Sequence, residues 1–162
     1  MSSFEIERKW VLDSLPSFLD KEETDLIEQC YVSFSPEVRI RRSMKGKNKY
    51  KITFKSEGVL KRTEIEDVIT EETYENLKKF FVNPYGIVNK RFYVYHEDGI
   101  KYEISLVDDI WFYAEVEFKN EDDANEFIPP AWLGREVTDK PHFKMKNYAE
   151  QKTKFGRAFN PN

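Results

Sequence analysis

The chain has 162 residues, of which 40% are hydrophobic, 15% aromatic and 35% charged. This length and composition fit one compact domain, residues 1–162, better than two, and the chain is too apolar for intrinsic disorder. A formal net charge of −4 excludes a protein coated on all sides with cations for DNA or membranes. No stretch approaches the roughly 20 apolar residues that cross a bilayer.

Charge is segregated along the chain. Residues 39–62 contain ten Lys or Arg and one acid, Glu57, whereas the remainder contains 16 basic and 29 acidic side chains. The local net charges are therefore +9 and −13. This segregation predicts an anionic partner that is held with the help of the protein's own acids.

Cysteine and motif content narrow the chemistry further. The lone Cys30 excludes an internal disulfide and an all-cysteine metal site, and it favours a reducing compartment such as the cytoplasm. Phosphate-loop, dinucleotide-binding, HExxH and nucleophile-elbow motifs are absent, and there are only two histidines. Phosphate or metal chemistry would therefore use Lys, Arg, Asp and Glu.

Period-two alternation of apolar and polar residues predicts β-strands along most of the chain. Each such strand has one apolar face and one charged face, although Arg8 interrupts the apolar face of the first. Turn residues at 45–48 and at Asp98-Gly99 predict hairpins, and hence a mostly antiparallel sheet. The eight predicted strands lie at about 4–12, 27–34, 38–41, 49–55, 62–66, 88–94, 102–106 and 115–119.

Three helices are predicted between and after the strands. Thr70 is a suitable N-cap for residues 71–82, and acids begin this segment while lysines end it. Asn120 can cap a shorter helix that ends at Phe127, before two prolines. A third helix is predicted at about 144–154.

Eight antiparallel strands can close into a barrel, which removes exposed sheet edges. Two packings are then possible. The apolar faces can form a common core with every charged face in solvent, or the charged faces can line the interior while helices cover the apolar faces outside. Alternation alone does not decide between these packings.

The charged faces carry a more specific signal. Residues i and i+2 point the same way and lie roughly 6.6–6.8 Å apart, so Glu5/Glu7 and Glu115/Glu117 are like-charge pairs that a hard divalent cation would neutralise. Arg39/Arg41 and Lys51/Lys55 are the complementary case, which a polyphosphate would neutralise. A metal-bound polyphosphate between an acidic wall and a basic wall would neutralise both sets of like charges.

The sequence also resembles the CYTH superfamily, the triphosphate tunnel metalloenzymes. Glu5-Ile6-Glu7-Arg8-Lys9 matches the E-x-E-x-K motif of that family, and the resemblance continues in order to about Glu150, nearest to the short bacterial triphosphatases. The further matching segments are Glu28-Gln29-Cys30-Tyr31, Val38-Arg39-Ile40-Arg41, Thr53-Phe54-Lys55-Ser56-Glu57-Gly58, Arg62-x-Glu64-x-Glu66, Glu115-Val116-Glu117-Phe118, Phe127-Ile128-Pro129-Pro130-x-Trp132 and Gly134-Arg135-Glu136-Val137-Thr138.

The resemblance implies an α+β, mainly β fold: an eight-stranded antiparallel β-barrel that forms a tunnel with a charged lumen and flanking helices. It also implies Mg²⁺ or Mn²⁺ as cofactor and the following roles. The expected metal ligands are Glu5, Glu7, Glu115 and Glu117, with Glu64, Glu66 and Glu103 for a second ion or its waters. The expected triphosphate-binding residues are Lys9, Arg39, Arg41, Lys55, Arg62 and Arg91. The expected catalytic residues are Lys9, Tyr31 and Arg91.

Two departures from the family pattern are expected. Relatives often carry an inward Lys-x-Arg near residue 90. Counting back from Asp98-Gly99, Arg91 takes the place of the Arg, Asn89 takes that of the Lys, and Lys90 points outward. In addition, Ser105 stands where relatives often have Asp. Lys144 and Lys146 are predicted to lie on a solvated helix face.

The predicted function is metal-dependent hydrolysis of a triphosphate, most of all inorganic triphosphate, with nucleoside triphosphates second. Alternatives are a class IV adenylyl cyclase, a thiamine triphosphatase and a polyphosphate sensor without catalysis. A further alternative is a nucleic-acid module that uses Tyr50 and Phe54 for stacking. The expected partner is a small-molecule triphosphate, not nucleic acid or a membrane, and exposed aromatic residues would suit a homodimer.

Overall fold

The fold is built from eight long strands, one short strand and three α-helices, seen in a computed structural model that describes residues 2–19 and 24–162. In chain order the elements are β1 (Ser2–Leu12), β2 (Asp25–Ser33), β3 (Glu37–Ser43), β4 (Tyr50–Lys55), β5 (Lys61–Val68), α1 (Glu71–Phe81), β6 (Val88–Glu97), β7 (Ile100–Val107), β8 (Trp111–Glu117), α2 (Glu121–Glu126), β9 (Arg135–Glu136) and α3 (Met145–Phe155).

The eight long strands form a closed antiparallel barrel, so the predicted fold class is confirmed. Their order is β5-β4-β3-β2-β6-β7-β8-β1, and β5 pairs again with β1, where Glu5 lies opposite Arg62. The sequence did not predict β9, which adds to β1 with Trp10 opposite Glu136. A Cβ on Gly134 would lie 2.0 Å from the Val11 carbonyl oxygen, so only glycine allows this approach.

Local sequence signals set the turns and helix starts as predicted. Asp98 and Gly99 have φ values of +52° and +76°, as a two-residue hairpin turn requires. The Thr70 side chain accepts a hydrogen bond from the Thr73 N–H, and the Asn120 side chain accepts one from the Asp123 N–H. Among the described helices, none is both long and apolar enough to cross a bilayer.

The apolar faces of the strands point outward, where helices and loops cover them. Beneath α1 lie Cys30 and Ile40, both fully buried. A second outer cluster joins Trp10, Ile104 and Val116 to the segment 127–133. The charged faces consequently line the interior, which is the second of the two packings considered for the sequence.

One end of the barrel is closed by α3 and the 3₁₀ turn Pro141–Phe143. Tyr148 and Phe143 pack there against Val11 and Trp111, whose side chains share the inward phase of their strands. The buried carboxylate of Asp108 accepts hydrogen bonds from the Tyr148 hydroxyl (2.7 Å) and the Lys152 ammonium (2.9 Å). These contacts anchor α3 to the β7–β8 turn.

Arg8, the charged residue on the apolar face of β1, joins the barrel to the segment that follows β8. Its guanidinium forms a two-point ion pair with Glu136 (2.6 and 2.9 Å) and donates to the carbonyl oxygens of Ala124 and Phe127. It also lies 5.2 Å from the centre of the Trp10 ring. The charged residue on this face of β1 is therefore paired with a carboxylate and with two carbonyl oxygens.

We expect Arg8→Met to lower the free energy of unfolding by roughly 2–4 kcal/mol, because it leaves Glu136 and two carbonyl groups without their donor. Urea unfolding monitored by circular dichroism measures this change. Arg157→Met, at an exposed position after α3, is the matched control and should change stability by less than about 0.5 kcal/mol. Equal effects of the two substitutions would contradict the assignment.

Candidate functional site

The inward faces of the strands enclose a cavity of about 220 Å³ inside the barrel. Its lining is dominated by charged side chains of both signs. The acidic lining residues are Glu5, Glu7, Glu37, Glu64, Glu66, Glu103, Glu115 and Glu117. The basic lining residues are Lys9, Arg39, Arg41, Lys55, Arg62, Lys90 and Lys144.

The structure brings together nearly all residues that the sequence nominated. The seven expected metal ligands line this cavity, and so do Tyr31 and the expected substrate-binding residues, with one exception. Their roles remain predictions, because position alone does not assign them. The exception is Arg91.

The prediction that Arg91 faces the lumen is wrong, because the phase of β6 is opposite to the one expected. Lys90 is 8% exposed and lines the cavity, whereas Asn89 and Arg91 are exposed on the outer wall. The inward phase continues through Phe92, and Tyr93 is buried in an outer cluster. Apolarity misled the assignment, since Phe92 is the inward residue and resembles an outer one.

Part of the acidic wall is already neutralised by ion pairs. The Lys55 ammonium lies 2.9 Å from a Glu5 carboxylate oxygen and 3.4 Å from one of Glu64. The Arg62 guanidinium lies 3.0 Å from Glu37 and 3.7 Å from Glu5. Glu37 was not among the residues predicted from the sequence, although it shares the phase of Arg39 two residues later.

Several carboxylates of this wall also crowd one another. Burial, Glu115 and Glu5 raise the pKa of Glu7 well above its usual range. Burial and a hydrogen bond to Glu5 raise the pKa of Glu64 to about 7. Burial and the charge of Glu5 also raise the pKa of Glu117. Such mutual destabilisation of negative charge marks a site where a cation would be bound favourably.

These carboxylates suit a hard divalent ion, because such ions prefer oxygen ligands and because ion pairs neutralise only part of the acidic wall. No three acidic, histidine or cysteine side chains among residues 2–19 and 24–162 stand in a ready-made coordination arrangement. Glu5, for example, is held by Lys55 and Arg62. A metal would therefore bind in competition with these ion pairs.

Several lumen cations have no carboxylate within 4 Å among the described residues, namely Lys9, Arg39, Arg41 and Lys90. The Nε atom of Arg39 is buried and has no hydrogen-bond partner within residues 2–19 and 24–162. Burial and the neighbouring Arg39 lower the pKa of Arg41. Basic side chains that face one cavity with no carboxylate of the described residues within 4 Å are suited to bind an anion.

Tyr113 positions two of these cations. Its hydroxyl accepts a hydrogen bond from the Lys90 ammonium (2.6 Å), and the Lys9 ammonium lies 3.9 Å from its ring centre. Lys9 also donates to the Phe143 carbonyl oxygen at 2.7 Å. Burial and Arg39 lower the pKa of Lys90 well below its usual range. The neutral form of Lys90 is therefore favoured relative to that of an exposed lysine.

The last two predicted residues to place are Lys144 and Tyr31. Lys144 is not on a solvated face: it lines the cavity and donates to the Gly58 carbonyl oxygen at 2.6 Å. Tyr31 is buried, accepts a hydrogen bond from the Gln29 amide (3.0 Å) and stacks on Phe34. Burial raises its pKa despite the nearby Arg39.

Comparison with known proteins identifies the architecture. The family model described as the CYTH domain matches residues 3–151. The chain belongs to the CYTH domain family. This membership confirms the resemblance found in the sequence.

Individual relatives of this CYTH chain are consistent with that placement. It is 30% identical over 148 residues to the inorganic triphosphatase of Nitrosomonas europaea, covering 90% of this chain and 96% of that one. A solved structure of an inorganic triphosphatase is 31% identical with a TM-score of 0.62, covering 90% and 93%. A putative adenylate cyclase from Bacillus halodurans, at 12% identity and a TM-score of 0.55 over 76% and 85%, shares the fold alone.

We expect Glu7→Gln to raise the free energy of unfolding of this CYTH chain by roughly 1–2 kcal/mol, measured in chelator at mildly alkaline pH. The pKa of Glu7 is raised on folding, so its contribution to stability is lost as pH rises through that folded-state pKa.

Urea unfolding with and without Mg²⁺ measures this effect. Added Mg²⁺ should stabilise the wild type more than the variant, because binding to the native state adds to stability. Glu126→Gln, exposed at the end of α2, is the control and should change neither value. A destabilised Glu7→Gln protein would show that the carboxylates do not repel one another.

Proposed function

We propose that the protein is a divalent-metal-dependent triphosphatase that hydrolyses inorganic triphosphate within the barrel, with residues 1–162 acting as one domain. The observation that carries this proposal is that cations without counter-ions and crowded carboxylates face each other across one cavity. The Nitrosomonas europaea relative is an inorganic triphosphatase, in agreement with the activity predicted from the sequence.

The basic side of the cavity binds the phosphate chain. Arg39 and Arg41 each offer a planar guanidinium that can donate two hydrogen bonds to phosphoryl oxygens, and neither is held by an acid within 4 Å in the described residues. Lys9 adds a charge at the closed end, where Phe143 and Tyr113 hold its ammonium. Lys55 and Arg62, now paired with glutamates, are further ligands.

The acidic side holds Mg²⁺ or Mn²⁺. Glu5, Glu7, Glu115 and Glu117 are the proposed ligands, and Glu64, Glu66 and Glu103 serve a second ion or its waters. A bound divalent ion neutralises charge that develops on phosphoryl oxygens during transfer. Lys51 forms an ion pair with Glu66 at 3.0 Å, which restrains the Glu66 carboxylate.

Lys90 accepts the proton of the attacking water in this proposal. Burial and Arg39 lower its pKa, which favours the neutral Nζ atom that can take up a proton. The Tyr113 hydroxyl orients that atom. Lys90 thereby replaces Arg91 in the catalytic set, beside Lys9 and Tyr31.

Adjacent residues of β6 test this assignment. We expect Lys90→Met to lower kcat for inorganic triphosphate about 10²- to 10³-fold, because a positioned proton acceptor is lost. Arg91→Met, its neighbour on the outer wall, should leave kcat within about twofold. Phosphate release measures both rates, and the reverse order of effects would refute the β6 assignment.

Organic triphosphates are a second candidate class of substrate. Ile27 and Phe92 are among the apolar residues of a lining that is mainly charged, and an organic group attached to the phosphate chain would contact them. Cyclisation of ATP would also require this contact. Product analysis separates cyclic AMP from inorganic phosphate.

A substrate panel tests the proposed reaction. We expect phosphate release from inorganic triphosphate to exceed release from ATP and thiamine triphosphate at least about tenfold, to require Mg²⁺ or Mn²⁺, and to stop in chelator. Triphosphate binding without release, measured by calorimetry, would instead support a sensor. Equal release in chelator would refute the metal dependence.

The remaining features favour a small-molecule partner over nucleic acid. The basic residues of segment 39–62 that line the cavity face inward, and Tyr50 packs against Tyr74 of α1 at 5.2 Å, so it is not available to stack on bases. The lone, buried Cys30 fits a reducing compartment. We therefore propose a cytoplasmic location. Exposed aromatic side chains such as Phe4 support the homodimer expected from the sequence.

A further inference from the structure

The outer wall formed by β1, β4 and β5 presents large apolar side chains to solvent. Phe4 is 66% exposed, Phe54 is 44% exposed and Ile65 is 47% exposed. Phe54 lies directly opposite Ile65, and Phe4 lies opposite Thr63, next along β5 on the same face. These residues form one continuous patch, here called the β5 face.

The β5 face differs from the rest of the outer wall. Helix α1 packs on β2, β3 and β4 around Ile40, and the segment 127–133 packs on β1, β7 and β8 around Ile104. Within residues 2–19 and 24–162, no helix or loop packs over Phe4, Phe54 and Ile65 in the same way. Continuous exposed apolar patches on soluble proteins usually mark interaction sites.

Two charges of opposite sign flank this patch along β5. Lys61 lies at one end, 4.4 Å from the Phe4 ring centre, and Asp67 lies at the other, accepting a hydrogen bond from the Val68 N–H beside it. Neither takes part in an ion pair with another described residue. They are six residues apart, or roughly 20 Å along a strand.

We propose that the β5 face binds a second copy of this chain through a twofold axis. The axis lies in the interface and crosses β5 at right angles beside Glu64. Thr63 of each copy then faces Ile65 of the other, and Lys61 faces Asp67. The pattern of charge, apolar centre and opposite charge is thus complementary to itself, as an isologous interface requires.

This assembly is independent of the reaction proposed above. The side chains that alternate with the β5 face, Glu5, Lys55 and Glu64, point into the cavity. The interface uses the side wall of the barrel and leaves its open end uncovered. A failure of the dimer would therefore leave the proposed triphosphatase intact, and the reverse also holds.

Light scattering during size-exclusion chromatography over a concentration series tests the proposal. The full-length wild type should elute as a dimer that dissociates on dilution. Ile65→Lys should elute as a monomer with unchanged phosphate release, whereas Ile128→Lys, at a residue 87% exposed elsewhere, should remain dimeric. A monomeric wild type, or a dimeric Ile65→Lys protein, would overturn the proposal.

Charge exchange tests the orientation of the two copies. Lys61→Glu and Asp67→Lys alone should each raise the dimer Kd about tenfold or more, because each places like charges opposite one another. The double variant restores opposite charges and should return Kd to within about threefold of the wild type. A double variant weaker than either single variant would overturn this orientation.

Discussion

The enclosure of charged side chains by a wall of strands governs this structure. A strand that places Glu5 and Lys55 inside must place Phe4 and Phe54 outside. The apolar cover of the outer wall is therefore supplied by α1 and by the segment after β8, whereas α3 packs on inward-facing residues at one end of the barrel.

The charged side chains inside the barrel fall into two groups. Pairs such as Lys55–Glu5 and Arg62–Glu37 neutralise buried charge and support the native state. Other groups are incompletely neutralised: the Arg39 Nε atom has no hydrogen-bond partner among the described residues, and Glu7 is crowded by Glu115 and Glu5. A folded protein tolerates such unsatisfied groups at a cost in stability, and that cost is typical of a site prepared for a ligand.

Much of this arrangement could be predicted from the sequence, and the exceptions have physical causes. Alternation located the strands, and Thr70 and Asn120 located two helix starts, because these signals are local. The phase of β6 was missed since Phe92 faces charged neighbours, while Tyr95 packs outside against Phe18 and Trp132. The inward reach of Lys144 depends on the distant Gly58, which no local pattern encodes.

The closure of one barrel end by α3 determines how molecules enter and leave the cavity. Met145 and Lys144 border the cavity there, and Asp108 anchors the helix behind them. In a cavity with one closed end, substrate enters and products leave through the same opening, so the products must leave before the next substrate enters. A cavity of this shape suits the end of a phosphate chain and does not let a long polymer pass through the barrel.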